Sequence, residues 1–192
     1  MSTLEVNKIT PSTGTGITLG DSGDTFTIPS GVTLANSGTA TGFGGNNAPI
    51  LSVGLASSQN ISDNTWTTVI FDTEILDAGN IYNSSTGVAT PTAGTYLMTF
   101  VANVGGSVNN TLANAGVKFL VGSTTTAEQN LISTTYVLKF AILTTTYVMT
   151  FDGSTTVACQ AYNDVTSGQA SIYGGGNPRF GATFQMVKLI GA

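Results

Sequence analysis

The feature that most constrains this chain is a two-residue alternation of apolar and polar side chains, recurring from about residue 50 to the end. In residues 95–104, TYLMTFVANV, it puts Tyr96, Met98, Phe100, Ala102 and Val104 on one face. Residues 116–122 repeat it with Val117, Phe119 and Val121, and residues 155–162 with Val157, Cys159 and Ala161. A period of two belongs to a strand with one buried face. Residues 65–71, TWTTVIF, and the closing stretch 180–190 are also rich in strand formers. Residues 131–151 form a longer β-rich run, and Thr144-Thr145-Thr146 reads as the turn that splits it. Helical periodicity is absent and good helix formers are scarce. About eight to ten short strands with turns between them predict an all-β antiparallel jelly-roll sandwich.

Residues 1–48 follow a different plan. Short apolar triplets (LEV, ITL, FTI, VTL) alternate with Gly-rich turns. Ile17-Thr18-Leu19-Gly20-Asp21-Ser22-Gly23 matches Val32-Thr33-Leu34-Ala35-Asn36-Ser37-Gly38 at a spacing of 15 residues. Strands this short cannot bury an apolar face alone. The segment is therefore expected to be an extended β shaft or strip completed by other copies, similar to the triple β-spiral of viral fibres. The Gly- and Asn-rich stretch 41–49, TGFGGNNAP, reads as the hinge. The expected domains are 1–48, an attachment and shaft segment, and 49–192, a jelly-roll head.

Composition then narrows the chemistry. Five Lys or Arg and ten Asp or Glu make up 8% of the chain and give a net charge of −5. Five scattered cations cannot neutralise a phosphate track, so nucleic acid is not an expected partner. The sequence has no His, which removes His-based triads, dyads and metal sites. A single Cys excludes an internal disulfide framework and a thiolate zinc site. Cys159 lies in an apolar strand with no nearby cation and is expected to be a small buried hydrophobe. At 41% apolar residues the chain is not of disordered type. No apolar run approaches the 18 residues of a membrane span, so no membrane insertion is expected. The opening MSTLEVNKIT lacks the apolar core of a secretory leader, which predicts assembly in a cytoplasm. Asn60, Asn83 and Asn109 begin Asn-x-Ser/Thr triplets, which arise by chance in so Asn-, Ser- and Thr-rich a chain. A Thr-, Ser- and Asn-rich surface with few charges has little protection against association, and so predicts a defined oligomer or a place in a large assembly.

Residues 60–100 carry a more specific pattern. They contain Trp66, Phe71, Asp77, Tyr82-Asn83, Thr86-Gly87, Pro91, Gly94 and Tyr96, then Phe100. This order resembles the first third of the globular head of the complement/tumour-necrosis-factor superfamily. Phe184 with Leu189-Ile190 resembles that family's last strand, and Asp152-Gly153 falls near its Gly-Asp turn. Met98 stands where the family usually has an aromatic, and Met186 where it has Gly. The resemblance implies a homotrimer in which each head packs an aromatic-rich face against two copies around a three-fold axis. It implies Tyr96, Phe100 and Phe184 as trimer-core residues. The start MSTLEVNKI and the Gly-Thr-Ser strips also resemble fibre and appendage proteins of tailed bacteriophages, marine ones among them.

Two sets of residues are candidate sites. Asp72, Glu74 and Asp77 form the one local carboxylate cluster, with Asp72 and Glu74 on one face of a strand. Some members of the family bind calcium near this level, but calcium takes six to eight oxygens and three are at hand. Calcium is the only cofactor considered, and none is expected. Tyr162-Asn163-Asp164, together with Tyr173 and Asn177 in SIYGGGN, combine aromatic rings, amides and flexible glycines, a chemistry suited to sugar contact. No motif pairs carboxylates across a cleft, so no enzyme is expected. The chain is thus expected to be a structural virion protein of a tailed phage: a trimeric appendage joined to other virion proteins through residues 1–48, whose head meets a host-surface glycan. A capsid decoration or tail-assembly protein without a receptor, and a soluble lectin-like adhesion module, are the alternatives.

Overall fold

In the computed structural model the described residues are 9–11, 13–33, 35, 48–133, 138–178 and 181–189. The chain divides into two units, Met1–Thr41 and Gly42–Ala192. The division lies in the Gly-rich stretch expected to be the hinge, whose residues 41–47 are outside the described ones.

In the first unit the described residues form turns and no strand. Asp24 N–H donates to the Asp21 carbonyl at 3.0 Å, and Val32 N–H to that of Pro29 at 3.2 Å. Asp24 Oδ2 accepts the Asp21 N–H at 2.8 Å, closing the first turn from the other side. Gly23 takes φ +98°, as its place in the repeat requires. Ile17, Leu19, Phe26, Ile28 and Val32 are exposed. Among the described residues of these triplets none is in a strand, in keeping with their length. The second repeat is only partly described, since Leu34 and residues 36–38 lie outside the described set.

The second unit is an antiparallel sandwich. Its strands are β1 (Ala48–Gly54), β2 (Gln59–Asn60), β3 (Thr67–Thr68), β4 (Thr73–Asp77), β5 (Tyr82–Asn83), β6 (Val88–Ala89), β7 (Gly94–Gly106), β8 (Leu112–Val121), β9 (Thr124–Ile132), β10 (Phe140–Phe151), β11 (Val157–Val165), β12 (Ala170–Ile172) and β13 (Thr183–Lys188). The first sheet runs β2-β12-β7-β13-β1-β4, with β10 on the other edge of β7. The second runs β5-β6-β11-β8-β9, with β3 also on β11. The all-β jelly-roll expectation is met, with several two-residue strands where the sequence suggested longer ones.

One expected turn is absent. Strand β10 passes unbroken through Thr144–Thr146, which pair with Val101, Phe100 and Thr99 of β7. The break in 131–151 lies earlier, between Ile132 at the end of β9 and Phe140 at the start of β10. Thr is β-branched and suits a pleated strand. Here Thr146 bonds Thr99 across the ladder (Oγ1 to Oγ1, 3.4 Å), and the Thr145 hydroxyl donates to the Ala127 carbonyl at 2.6 Å.

The core between the sheets follows the alternation. Tyr96, Met98, Phe100, Ala102 and Val104 of β7 are fully buried, facing Val117 and Phe119 of β8 and Cys159 and Ala161 of β11. Phe71 is its hub: it stacks on Phe184 at 6.3 Å and meets Phe100 edge-on at 6.2 Å. Phe119 closes the group against Phe184 at 5.8 Å. Tyr82 reaches in, its hydroxyl accepting the Phe71 N–H at 2.8 Å. Tyr96, Phe100 and Phe184 are thus interior to a single sandwich, with their side chains turned away from any face another copy could meet. This corrects their assignment to a trimer core: the inward parity of β7 and β13 commits them to the opposite sheet.

Candidate functional site

Two outward sheet faces and one acidic turn are the places where this head could meet another molecule. The acidic turn is occupied by its own backbone. Asp72 accepts the Ala56 and Ser57 amides at 2.7 and 2.8 Å. Slight burial pushes its carboxyl pKa up, but these two bonds outweigh it and hold it below the usual carboxylate value. Asp77 accepts Ile81 N–H and Tyr82 N–H, each at 2.9 Å, and so shapes the turn into β5. Glu74 lies exposed between them on the Asp72 side of β4. Among the described residues, no group of three acidic, His or Cys side chains could hold a metal ion. Asp72 and Asp77 are therefore turn-forming carboxylates, and Glu74 is exposed to solvent. The Asp152-Gly153 turn uses the same device: Asp152 accepts the Ser154 and Thr155 amides at 2.8 and 2.7 Å, bonds that hold its pKa far down.

The outward face of the first sheet is Thr-rich and aliphatic. Its rows can be read from the ladders. Val148, Leu97 and Val187 lie side by side across β10, β7 and β13, followed by Thr146, Thr99 and Gln185, then Thr144, Val101 and Thr183. Thr95 and Thr150 bond hydroxyl to hydroxyl at 2.9 Å. Phe140, Ile142 and Val148 are exposed at 48%, 67% and 53%. These three strands bring no charged side chain to the face between Phe140 and Thr150, an exposed apolar and hydroxyl surface of the kind that marks an interaction site.

The outward face of the second sheet is aromatic and polar. The short strand β3 adds to β11, pairing Thr68 with Gln160 and Thr67 with Ala161. That register brings Trp66 beside Tyr162, with ring centroids 5.4 Å apart. Next across the sheet come Gly116 of β8 and Asn130 of β9. Lys118 lies two residues along β8, its ammonium 4.1 Å from the Trp66 ring centroid. The Tyr162 hydroxyl donates to the Asn64 side chain. Burial raises the Tyr162 phenol pKa, with smaller contributions from the negative charges of Asp164 and Asp63. One row further, Asn114 donates from Nδ2 to Asp164 at 2.7 Å. The connection before β3 is clasped to the same strand: Asn64 N–H donates to the Asn163 carbonyl at 2.7 Å, and Val165 N–H to Asp63 at 2.8 Å.

The expected receptor-contact residues do not come together. Tyr162 and Asp164 share the outward face of the second sheet. Asn163 is fully buried between them, a correction that follows from strand parity: its neighbours face out, so it must face in. Its Nδ2 donates to the Gly105 and Ser171 carbonyls at 2.6 and 3.0 Å, tying the two sheets together. Tyr173 belongs with the first sheet, its hydroxyl donating to the Gly106 carbonyl at 2.6 Å and its ring 5.9 Å from Phe140. Asn177 is exposed in the following loop. Trp66, Lys118, Asn114 and Asn130 were not candidates from the sequence. The available signal was a lone Trp in a Thr-rich strand, and its partners lie 50 to 96 positions away. Cys159 is buried as expected, and burial pushes its thiol pKa well up, away from reactivity.

No protein-family model matches the sequence, and no curated protein matches it. Solved structures do. The chain is similar to the globular domain of zebrafish complement 1qA protein at a TM-score of 0.51 and 14% identity, covering 72% of this chain and 94% of that one. It is similar to Eiger TNF from S. frugiperda at a TM-score of 0.54 and 14% identity, over 76% and 95% of the two chains. Murine APRIL matches at 0.53 and 11% identity, over 75% of this chain and all of that one. The fold expected from Trp66 to Phe100 is therefore the fold observed: a complement/tumour-necrosis-factor-type jelly roll.

Proposed function

We propose that the chain is a non-catalytic, homotrimeric appendage of a tailed-phage virion, whose sandwich head contacts the host surface. Residues 1–48 would join it to other virion proteins and form its shaft. The observation that carries the trimer is the outward face of the first sheet. Leu97, Val101, Ile142, Val148 and Val187 stand there among Thr hydroxyls, with exposed apolar area and no charge to oppose a like face. Closed cyclic symmetry uses such a face in every copy and leaves none open. The described triplet residues of the N-terminal unit, none of them in a strand, support the same reading, because copies brought together can supply a ladder. The absence of His, the inert Cys159 and the scarcity of charge support a binding role over catalysis.

Light scattering on the full chain, with adsorption of the protein to host cells, tests the proposal. A solution mass three times the 19.5 kDa of one chain, together with saturable adsorption, is the expected result. A monomer overturns the assembly, and a trimer that adsorbs to no cell but occupies lattice positions on the capsid would replace host contact with a decorating role.

A further inference from the structure

We infer that the outward face of the second sheet is a binding platform for a neutral pyranose unit of a surface glycan, built on Trp66 and Tyr162. The inference rests on the host-contact reading and assigns it a place and a ligand class.

The platform is pre-formed. The sequence holds one Trp, and the fold puts it on the outside of the sandwich, while the core is built from Phe. A Cβ at Gly116 would stand 2.7 Å from the Trp66 ring edge and would also strike Asn130, so only Gly lets the indole lie across β8 at this point. Lys118 holds the ring from a second direction. Its side chain is only 8% exposed, yet among the described residues it meets the indole and no carboxylate. The low exposure reflects the stem packed along the sheet, with the ammonium held over the ring face. The attraction between that charge and the ring quadrupole fixes the indole more firmly than packing alone. Tyr162 is pinned through its hydroxyl to Asn64. Rings already held in place lose little freedom when a ligand arrives.

The surrounding chemistry matches a sugar. Beside Tyr162 runs a groove of about 270 Å³, lined by Asn114, Asn130, Leu131 and Ile132. That is just below the usual range for small-ligand sites and suits a single sugar ring. A pyranose presents C–H groups on its faces and hydroxyls around its edge. The Tyr162 and Trp66 rings suit the first, and the Asn114–Asp164 pair and Asn130 suit the second. Charge selects within the class. Asp164 and Asp63 lie close enough to raise the Tyr162 pKa, Glu128 accepts from Asn130 at 2.6 Å, and the nearby cation is engaged with Trp66. An anionic sugar would meet net repulsion here, and a neutral one would not.

Trp66 also provides the readout, because any emission change reports this platform directly. The full-length trimer would be titrated with neutral hexose and N-acetylhexosamine oligosaccharides, and with uronic- and sialic-acid oligosaccharides, following tryptophan emission. A parallel glycan array would be read with wild type, Tyr162→Ala and Asn130→Ala. Affinities of roughly 1 mM per site, multiplied in the trimer, are the expected scale. Neutral oligosaccharides should shift the emission saturably, and each substitution should weaken binding by about tenfold with the trimer mass unchanged. If Tyr162→Ala fails to fold, Asn130→Ala carries the test. Glycan binding that leaves emission and both variants unaffected places the site elsewhere and overturns the inference. A preference for acidic glycans overturns its charge argument. Adsorption to host cells with no response to any neutral glycan overturns the platform and leaves the host-contact reading standing. Loss of adsorption itself overturns that reading and the platform with it.

Discussion

The two sheets of this head have outward faces of opposite character. The first sheet shows Leu97, Val101, Ile142, Val148 and rows of Thr, chemically uniform over three long strands. The second brings Trp66, Tyr162, Lys118, Asp164 and two Asn together across neighbouring strands, a mixture of rings, charges and amides. Both faces alternate with the same kind of buried Phe-rich interior. The difference lies in what each could recognise. A uniform face of hydroxyls and methyl groups can pack against another copy of the chain, where shape and dryness matter more than pattern. A mixed face of fixed rings, amides and a carboxylate discriminates among small polar ligands.

The sharpest break in this comparison comes from moving a charge between the interior and an outward face. Phe184→Asp puts a carboxylate among Phe71, Phe119 and Phe100, where nothing can pair with it. The loss should be about 4 kcal/mol or more, enough to unfold the head. Circular dichroism melting would show it as loss of the cooperative transition. A folded monomer would instead return Phe184 to an interface.

Leu97→Asp moves the same charge one step outward, into the row with Val148 and Val187. The sandwich should keep its melting transition while light scattering drops from trimer to monomer. If the mass is unchanged, the uniform face is not the interface.

These two substitutions also mark how far the sequence could be read. The alternation in 95–104 put Tyr96 and Phe100 on one face, and the family resemblance placed them with Phe184 in a trimer core. A period of two fixes which side chains share a face but not what lies opposite. Only the pairing of β7 with β10 and β13, and the sandwich above them, assigns the even positions to one chain and the odd ones to its surface. The all-β sandwich was legible from the two-residue alternation, and its particular type from the resemblance carried by Trp66, Phe71, Tyr82, Gly94 and Tyr96. The platform was half legible. Tyr162 and Asp164 could be named because they are neighbours in sequence, and Asn163 was misplaced because alternation inside a polar triplet carries no apolar signal. Trp66, Gly116 and Asn130 meet only through the β3–β11–β8–β9 register, which is non-local. The Thr144–Thr146 run misled for a related reason: polar Thr reads as a turn, whereas here its branched side chain serves an edge strand with one open face.

The mixed face should be sensitive to a change that the uniform face would absorb. Gly116→Val would drive a branched side chain into the Trp66 ring edge and Asn130. The indole must swing off the sheet, breaking its contacts with Lys118 and Tyr162. A cost of roughly 1–3 kcal/mol is expected, with a red-shifted tryptophan emission and the trimer mass retained. Unchanged emission would mean that Gly116 does not set the indole's position.

The smallest expected effect concerns neither face but the turn that links them. Asp72 holds the Ala56 and Ser57 amides, and its pKa in the folded head lies below the ordinary 3.8. The unfolded chain therefore takes up the proton first as pH falls. The carboxylate's stabilisation is complete above about pH 5 and is lost as pH drops through the lower, folded value. The group is mostly solvent-exposed, so the contribution should be modest, about 1 kcal/mol or less. Melting temperatures measured from pH 6 down to pH 2.5 should fall more steeply in wild type than in Asp72→Asn, whose amide has no proton to gain and offers one acceptor oxygen where two amides ask for one. Parallel curves would show that the Ala56–Ser57 turn holds without this charge, and would leave Asp152, which accepts two amides in the same way, as the next carboxylate to replace.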